Sequence, residues 1–134
     1  MHTVTRCFNT NTVDWTAALE CWDYSVRNHH EVRIGMPGYL VSHEAHTIPN
    51  VKPRLEELGC KDAHLYMNIS LLGDTYGAHS DDRDVWYWQC EGKTLWRVDD
   101  CEYELEPGDL IYIQQGTQHE VLPLSVRLGI SMSK

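Results

Sequence analysis

His79, Asp81 and His119 are the residues of this 134-residue chain whose types and spacing could do chemistry. A His-x-Asp pair joined by a distant histidine is the donor set of a 2-His-1-carboxylate facial triad. Its three protein donors leave neighbouring coordination positions free for substrate, cosubstrate and oxygen, which points to Fe(II) oxygen chemistry. The residues around the donors also keep strict spacing. One frame runs Gly73-Asp74-Thr75-Tyr76-Gly77-Ala78-His79-Ser80-Asp81 and closes at Gly92; the other runs from Gly108-Asp109 through Leu110-Ile111-Tyr112-Ile113 to Gly116-Thr117-Gln118-His119.

Strands are the elements that could position such a set. Residues i and i+2 of a strand face the same side, so His79 and Asp81 can point together into a barrel while Ser80 points away. His119 then has to return on a neighbouring strand after Leu110–Ile113. From Ala63 onward the chain shows short apolar or alternating runs broken by turn residues, the pattern of an antiparallel barrel or sandwich. Strands are predicted near 64–72, 84–90, 94–98, 102–105, 109–113, 119–124 and 126–132. Turns fall at Glu91-Gly92, Asp99-Asp100 and Glu106-Pro107-Gly108-Asp109. Ahead of this region, Trp15, Ala18, Leu19, Trp22 and Val26 recur at helical spacing, and Pro53 and Gly59 bracket a second helix over Lys52–Leu58. The reading is a mainly β, single-domain fold: residues 1–62 form a helical brace packed on one face, and 63–134 form the barrel core.

Composition narrows the function classes. The 11 Lys and Arg stand against 20 Asp and Glu, and this net charge of −9 offers no basic stripe for nucleic acid. No apolar run approaches the roughly 20 residues that span a bilayer. Five cysteines without Cys-x-x-Cys spacing, and no apolar leader after Met1, lead to the expectation of a reduced, cytoplasmic protein.

The two frames resemble the paired motifs of the cupin superfamily. Within it, the stretch from His79 to Val98 and the run Leu105-Glu106-Pro107-Gly108-Asp109-Leu110-Ile111-Tyr112-Ile113 resemble JmjC-type Fe(II)/2-oxoglutarate oxygenases, particularly the ribosomal-oxygenase branch. The resemblance covers about half the chain. It implies a double-stranded β-helix (a cupin or jelly-roll barrel) in which His79, Asp81 and His119 hold Fe(II) and 2-oxoglutarate chelates it as cosubstrate. Succinate and carbon dioxide would leave, and a substrate C–H bond would be hydroxylated. That branch carries further C-terminal dimerisation and winged-helix regions, so its protein substrates are not carried over. A small molecule or a peptide side chain is the expected substrate, and a monomer or homodimer the expected assembly.

The sequence departs from the branch at Thr94, where it has a basic residue for the far carboxylate of 2-oxoglutarate. A buried carboxylate needs a cation or several donors. Arg127 is preferred for that role because its fork suits a carboxylate, with Thr94 as an auxiliary hydroxyl. Lys93 is one residue out of phase, and Tyr66 and Asn68 share a strand face from which they could line the cavity. His29-His30 and His43-Glu44-Ala45-His46 read as structural or solvated histidines. Trp86 and Trp88 read as core, and Cys90 and Cys101 as small buried residues. Two further readings stay open: a metal-dependent cupin isomerase or dioxygenase that does not use 2-oxoglutarate, and a non-catalytic cupin that binds a ligand in its barrel.

Overall fold

The computed structural model describes residues 1–73 and 75–134; Asp74, a member of the first frame, lies outside the described residues. Two antiparallel sheets face each other. The larger contains β1 (His2–Thr5), β2 (Val32–Gly35), β3 (Tyr39–Ser42), β4 (Asp62–Asn68), β5 (Val85–Glu91), β8 (Leu110–Ile113) and β10 (Arg127–Ser133), in the order β1-β8-β5-β10-β4-β3-β2. The smaller is β7-β6-β9, built from β6 (Thr94–Val98), β7 (Cys101–Leu105) and β9 (His119–Pro123).

Each face of the large sheet has its own apolar core. On the outer face Leu65, Met67, Trp88, Leu128, Ile130 and Met132 pack under the two helices, α1 (Trp15–Arg27) and α2 (Lys52–Leu58). The inner face puts Tyr87, Ile111 and Ile113 against Trp96, Val98 and Leu105 of the small sheet. Helices on one outer face are as the sequence predicts, and α2 has the predicted bounds, with proline in its first turn and Gly59 as its C-cap. Asp14 caps α1, its carboxylate accepting the Ala17 amide at 2.8 Å.

Three features differ from the sequence reading. The segment before residue 62 is not helical alone, because β1, β2 and β3 come from it and extend the large sheet. Each is four residues long, too short to show a period clearly, although Pro37-Gly38 between two apolar runs is a hairpin signal. The buried stripe of α1 is Ala18, Cys21 and Ser25, while Leu19 and Val26 are exposed. Small side chains there let the helix approach β3, where the Ser25 and Ser42 hydroxyls meet at 2.7 Å. Cys101 is exposed where burial was expected; Cys90 is fully buried. Trp88 is core as expected, its indole N–H donating to the Asn9 carbonyl at 3.0 Å.

Candidate metal centre

The triad is assembled by one isolated bridge. His79 lies in the loop before β5, outside any regular strand, and pairs antiparallel with His119 at the start of β9. The two backbones exchange both bonds, His79 N to His119 O at 2.9 Å and His119 N to His79 O at 2.8 Å. Asp81 follows two residues later, and its carbonyl accepts the Gly116 amide at 3.0 Å, which ties the first frame to the second. One donor atom from each of His79, Asp81 and His119 lies within 4.8 Å of the other two. The Nε2 atoms stand 3.6 Å (His79) and 3.2 Å (His119) from the two Asp81 carboxylate oxygens.

Both imidazoles are set for metal by the same local device. His79 Nδ1 is 2.8 Å from the Gly77 carbonyl and His119 Nδ1 is 2.9 Å from the Thr117 carbonyl, each two residues upstream. A carbonyl can only accept, so Nδ1 carries the proton and the Nε2 lone pair faces Asp81 and its neighbour histidine. Two neutral imidazole nitrogens and one carboxylate oxygen suit Fe(II) or a similar divalent ion. Without the ion, the hydrogen bond from His119 holds the Asp81 carboxyl below its usual range despite partial burial. Burial opposes charge on His119, but the bonds to Asp81 and to the Thr117 carbonyl outweigh it and raise its pKa.

The triad opens into a cavity of about 370 Å³ between the sheets. Arg127 enters the same cavity from β10 and is 2% exposed. Its Nε donates to Asn68 Oδ1 at 2.7 Å and its Nη1 to the Tyr87 hydroxyl at 3.2 Å, and it lies over the Tyr66 ring. Among the described residues no carboxylate pairs with this buried cation, a costly arrangement unless an anion completes it. The network continues. Tyr87 donates to Gln89 Oε1 at 2.9 Å, Thr94 donates to the same oxygen at 2.8 Å, and the Trp96 indole donates to the Thr94 hydroxyl at 3.2 Å. Trp96 then stacks on His119 with centroids 5.9 Å apart. Arg127 is thereby linked to a triad histidine through buried, satisfied polar groups.

The residues singled out from sequence therefore separate into groups. His79, Asp81, His119, Arg127 and Tyr66 share the cavity. Asn68 is fully buried and holds Arg127 from behind. Thr94 does not line the cavity; it faces Gln89 and Trp96 as a link in the network, because the strand face it shares with Trp96 is filled by that indole. Lys93 is also outside, its ammonium 3.2 Å from the exposed Glu106 carboxylate, as its out-of-phase position implies. Tyr39, Tyr76, Tyr87 and Trp96 line the cavity without having been singled out for it. For Tyr87 the alternation that puts Trp86 and Trp88 in the outer core was the available signal. His43 and His64 also reach the cavity, stacked with centroids 4.0 Å apart and planes 2° from parallel. Burial, then the neighbouring His43, pushes the His64 pKa down, so His64 is neutral at neutral pH.

No protein-family profile and no curated protein matches the sequence. Solved structures do match. YcfD, a ribosomal oxygenase from Escherichia coli in complex with cobalt and succinic acid, superposes with a TM-score of 0.76 at 20% identity, over 98% of this chain and 47% of that one. A cupin superfamily protein from Desulfitobacterium hafniense gives 0.57 at 13% identity, covering 75% of this chain and 81% of its own. KdgF from Halomonas sp. gives 0.56 at 18% identity, covering 79% and 89%. The chain spans about half the length of YcfD. At these identities the likeness speaks for the fold alone, one that this chain shares with YcfD and with a cupin superfamily protein.

Proposed function

We propose that the chain is a single cupin domain, a double-stranded β-helix, that acts as an Fe(II)- and 2-oxoglutarate-dependent oxygenase hydroxylating a small molecule or a peptide side chain. One observation carries this reading: the His79, Asp81 and His119 donors and the buried Arg127, which has no carboxylate partner among the described residues, open into one cavity. YcfD, which shares the fold, has been solved with cobalt and 2-oxoglutarate. The metal and cosubstrate together would supply oxygen activation and C–H hydroxylation. The chain's share is binding, orientation and exclusion of water. His79, Asp81 and His119 would hold the iron, and Arg127 would meet the far carboxylate, the role that Thr94 cannot fill from its buried place. Asn68 and Tyr87 fix the guanidinium so that its remaining N–H groups face the cavity. Five unpaired cysteines fit a reducing, cytoplasmic setting.

The test is spectroscopic. Anaerobic Fe(II) followed by 2-oxoglutarate should raise a visible metal-to-ligand charge-transfer band. Arg127→Ala should still bind iron but need at least about tenfold more cosubstrate to give the band, since truncating one member of a buried charge pair costs roughly 2 kcal/mol or more. Iron uptake without any band would move the protein to a cupin enzyme that does not use 2-oxoglutarate. No iron uptake at all would leave a ligand-binding barrel.

A further inference from the structure

The cavity wall formed by the start of β4 and the end of β10 is not used by the metal or by Arg127. Ser131 sits directly across from His64 in the β4–β10 register, Ser133 lies one inward position further along β10, and His43 covers the His64 ring. All four line the cavity with Arg83, whose charge is felt at His64. Neither serine hydroxyl nor the His64 imidazole has a hydrogen-bond partner among the described residues, although Ser133 is only 9% exposed. Among the described residues no side-chain nitrogen or oxygen shut off from solvent lacks a partner. The two serine hydroxyls and the His64 imidazole therefore keep polar atoms open to the cavity, and register and stacking gather them on one wall.

That wall is rich in donors. Two hydroxyls and the imidazoles line the cavity together with Arg83, which is half-exposed and whose Nε also donates to the Asp82 carboxylate on the outside at 3.1 Å; Asp81, committed to the triad, is the single acidic side chain lining it among the described residues. Glu31 lies outside on the rim, paired with His43 at 3.1 Å and 79% exposed, and Asp62 is exposed at the start of β4. The balance is opposite to that of the whole chain, which carries −9. A ligand rich in acceptors matches such a wall, and a cation does not. Size sets a second limit. Ligand cavities run from roughly 300 to 1,000 Å³, and this one, near the lower bound, would also hold the cosubstrate.

We infer that Ser131, Ser133, His64 and Arg83 form a subsite for the carboxylate of a small organic acid, the primary substrate, at the end of the cavity away from Arg127. The inference rests on the oxygenase reading for the word substrate, and on the wall alone for the carboxylate. Its test uses zinc-loaded full-length protein saturated with 2-oxoglutarate. Saturation-transfer NMR is recorded with isobutyrate, benzoate and 3-phenylpropionate, with their primary amides, with the matched amines, and with a short peptide bearing a free C-terminus.

At least one free acid should bind, its amide about tenfold more weakly, which is a loss of about 1.4 kcal/mol. The Ser131→Ala/Ser133→Ala variant, checked for fold by circular dichroism, should weaken that acid to a similar degree. Equal binding of acid and amide, preference for an amine or for the peptide, displacement of the acid by rising 2-oxoglutarate, or no binding by any probe would each overturn the subsite. Failure of the parent reading looks different. In that case calorimetry detects no 2-oxoglutarate binding to the zinc-loaded protein, while the acid still binds and still responds to the serine variant.

Discussion

His119 decides how the centre responds to acid. Its raised pKa means that a proton occupies the metal-facing nitrogen at higher pH than in a free histidine, while Asp81, held low, stays ionised. Metal must displace that proton, so affinity should fall as pH drops and begin to fall above 6.5, by up to about tenfold per pH unit for each proton released. Calorimetric titration with Fe(II) or Mn(II) across pH, in two buffers of different ionisation heat, reads both slope and proton count; a flat profile contradicts the assignment. Thr94 makes a second residue-level prediction. Thr94→Val keeps the shape but leaves the Trp96 indole without an acceptor and Gln89 Oε1 with one donor fewer. Orphaning such a buried group costs about 1–3 kcal/mol, visible in urea unfolding, whereas a hydroxyl bound directly to cosubstrate would chiefly lower 2-oxoglutarate affinity. The donors themselves were legible in the sequence because each sits in its own frame of turn residues, His79 and Asp81 two apart in the first and His119 three after Gly116 in the second. The role of Thr94 was not, because it depends on what Gln89 and Trp96 place around it in space.

At the scale of elements, β10 carries more of the site than its length suggests. It pairs with β4 on one side and β5 on the other, and it supplies Arg127, Ser131 and Ser133. Gly129 sits between these, and the Tyr87 ring lies over it: a Cβ there would fall 2.0 Å from the Tyr87 hydroxyl oxygen. Any side chain at 129 must push Tyr87 aside and loosen its hold on Arg127. Gly129→Ala should therefore cost about 1–3 kcal/mol of stability as overpacking does and weaken 2-oxoglutarate. The stability penalty should shrink in a Tyr87→Ala background, and a double-mutant cycle measures that coupling. Additive effects would show that the close approach does not govern the site. Long or well-bracketed elements such as α2 and β4 to β10 were readable, since hydrophobic period and turn residues agree there. The four-residue strands β1, β2 and β3 were not, because β1 and β3 depend on pairing with β8 and β4, later in the chain, and β2 is held only as the edge partner of β3.

At the scale of the molecule, an acidic chain encloses a cavity lined by arginine and histidine, and its preorganisation has a thermodynamic consequence. In the metal-free protein the Asp81–His119 pair stabilises the fold between the unfolded carboxyl value of 3.8 and the unfolded imidazole value of 6.5. Below that window the depressed carboxyl is lost as it protonates, and above it the raised imidazole is lost as it deprotonates. A bound divalent ion takes over at neutral pH and acts on the folded state alone, since the three donors are brought together only by the bridge between His79 and His119. Metal at 100 times its dissociation constant should add about 2.7 kcal/mol, which for a domain of this size is a rise in Tm of roughly 10 °C. A chelator should reverse it. His79→Ala should melt near the metal-free wild type and ignore added metal, because the side chain is only half-buried and its removal spares both cores. If the wild type gains nothing from Fe(II), Co(II) or Mn(II), or if His79→Ala gains as much, the three donors do not act together on one ion.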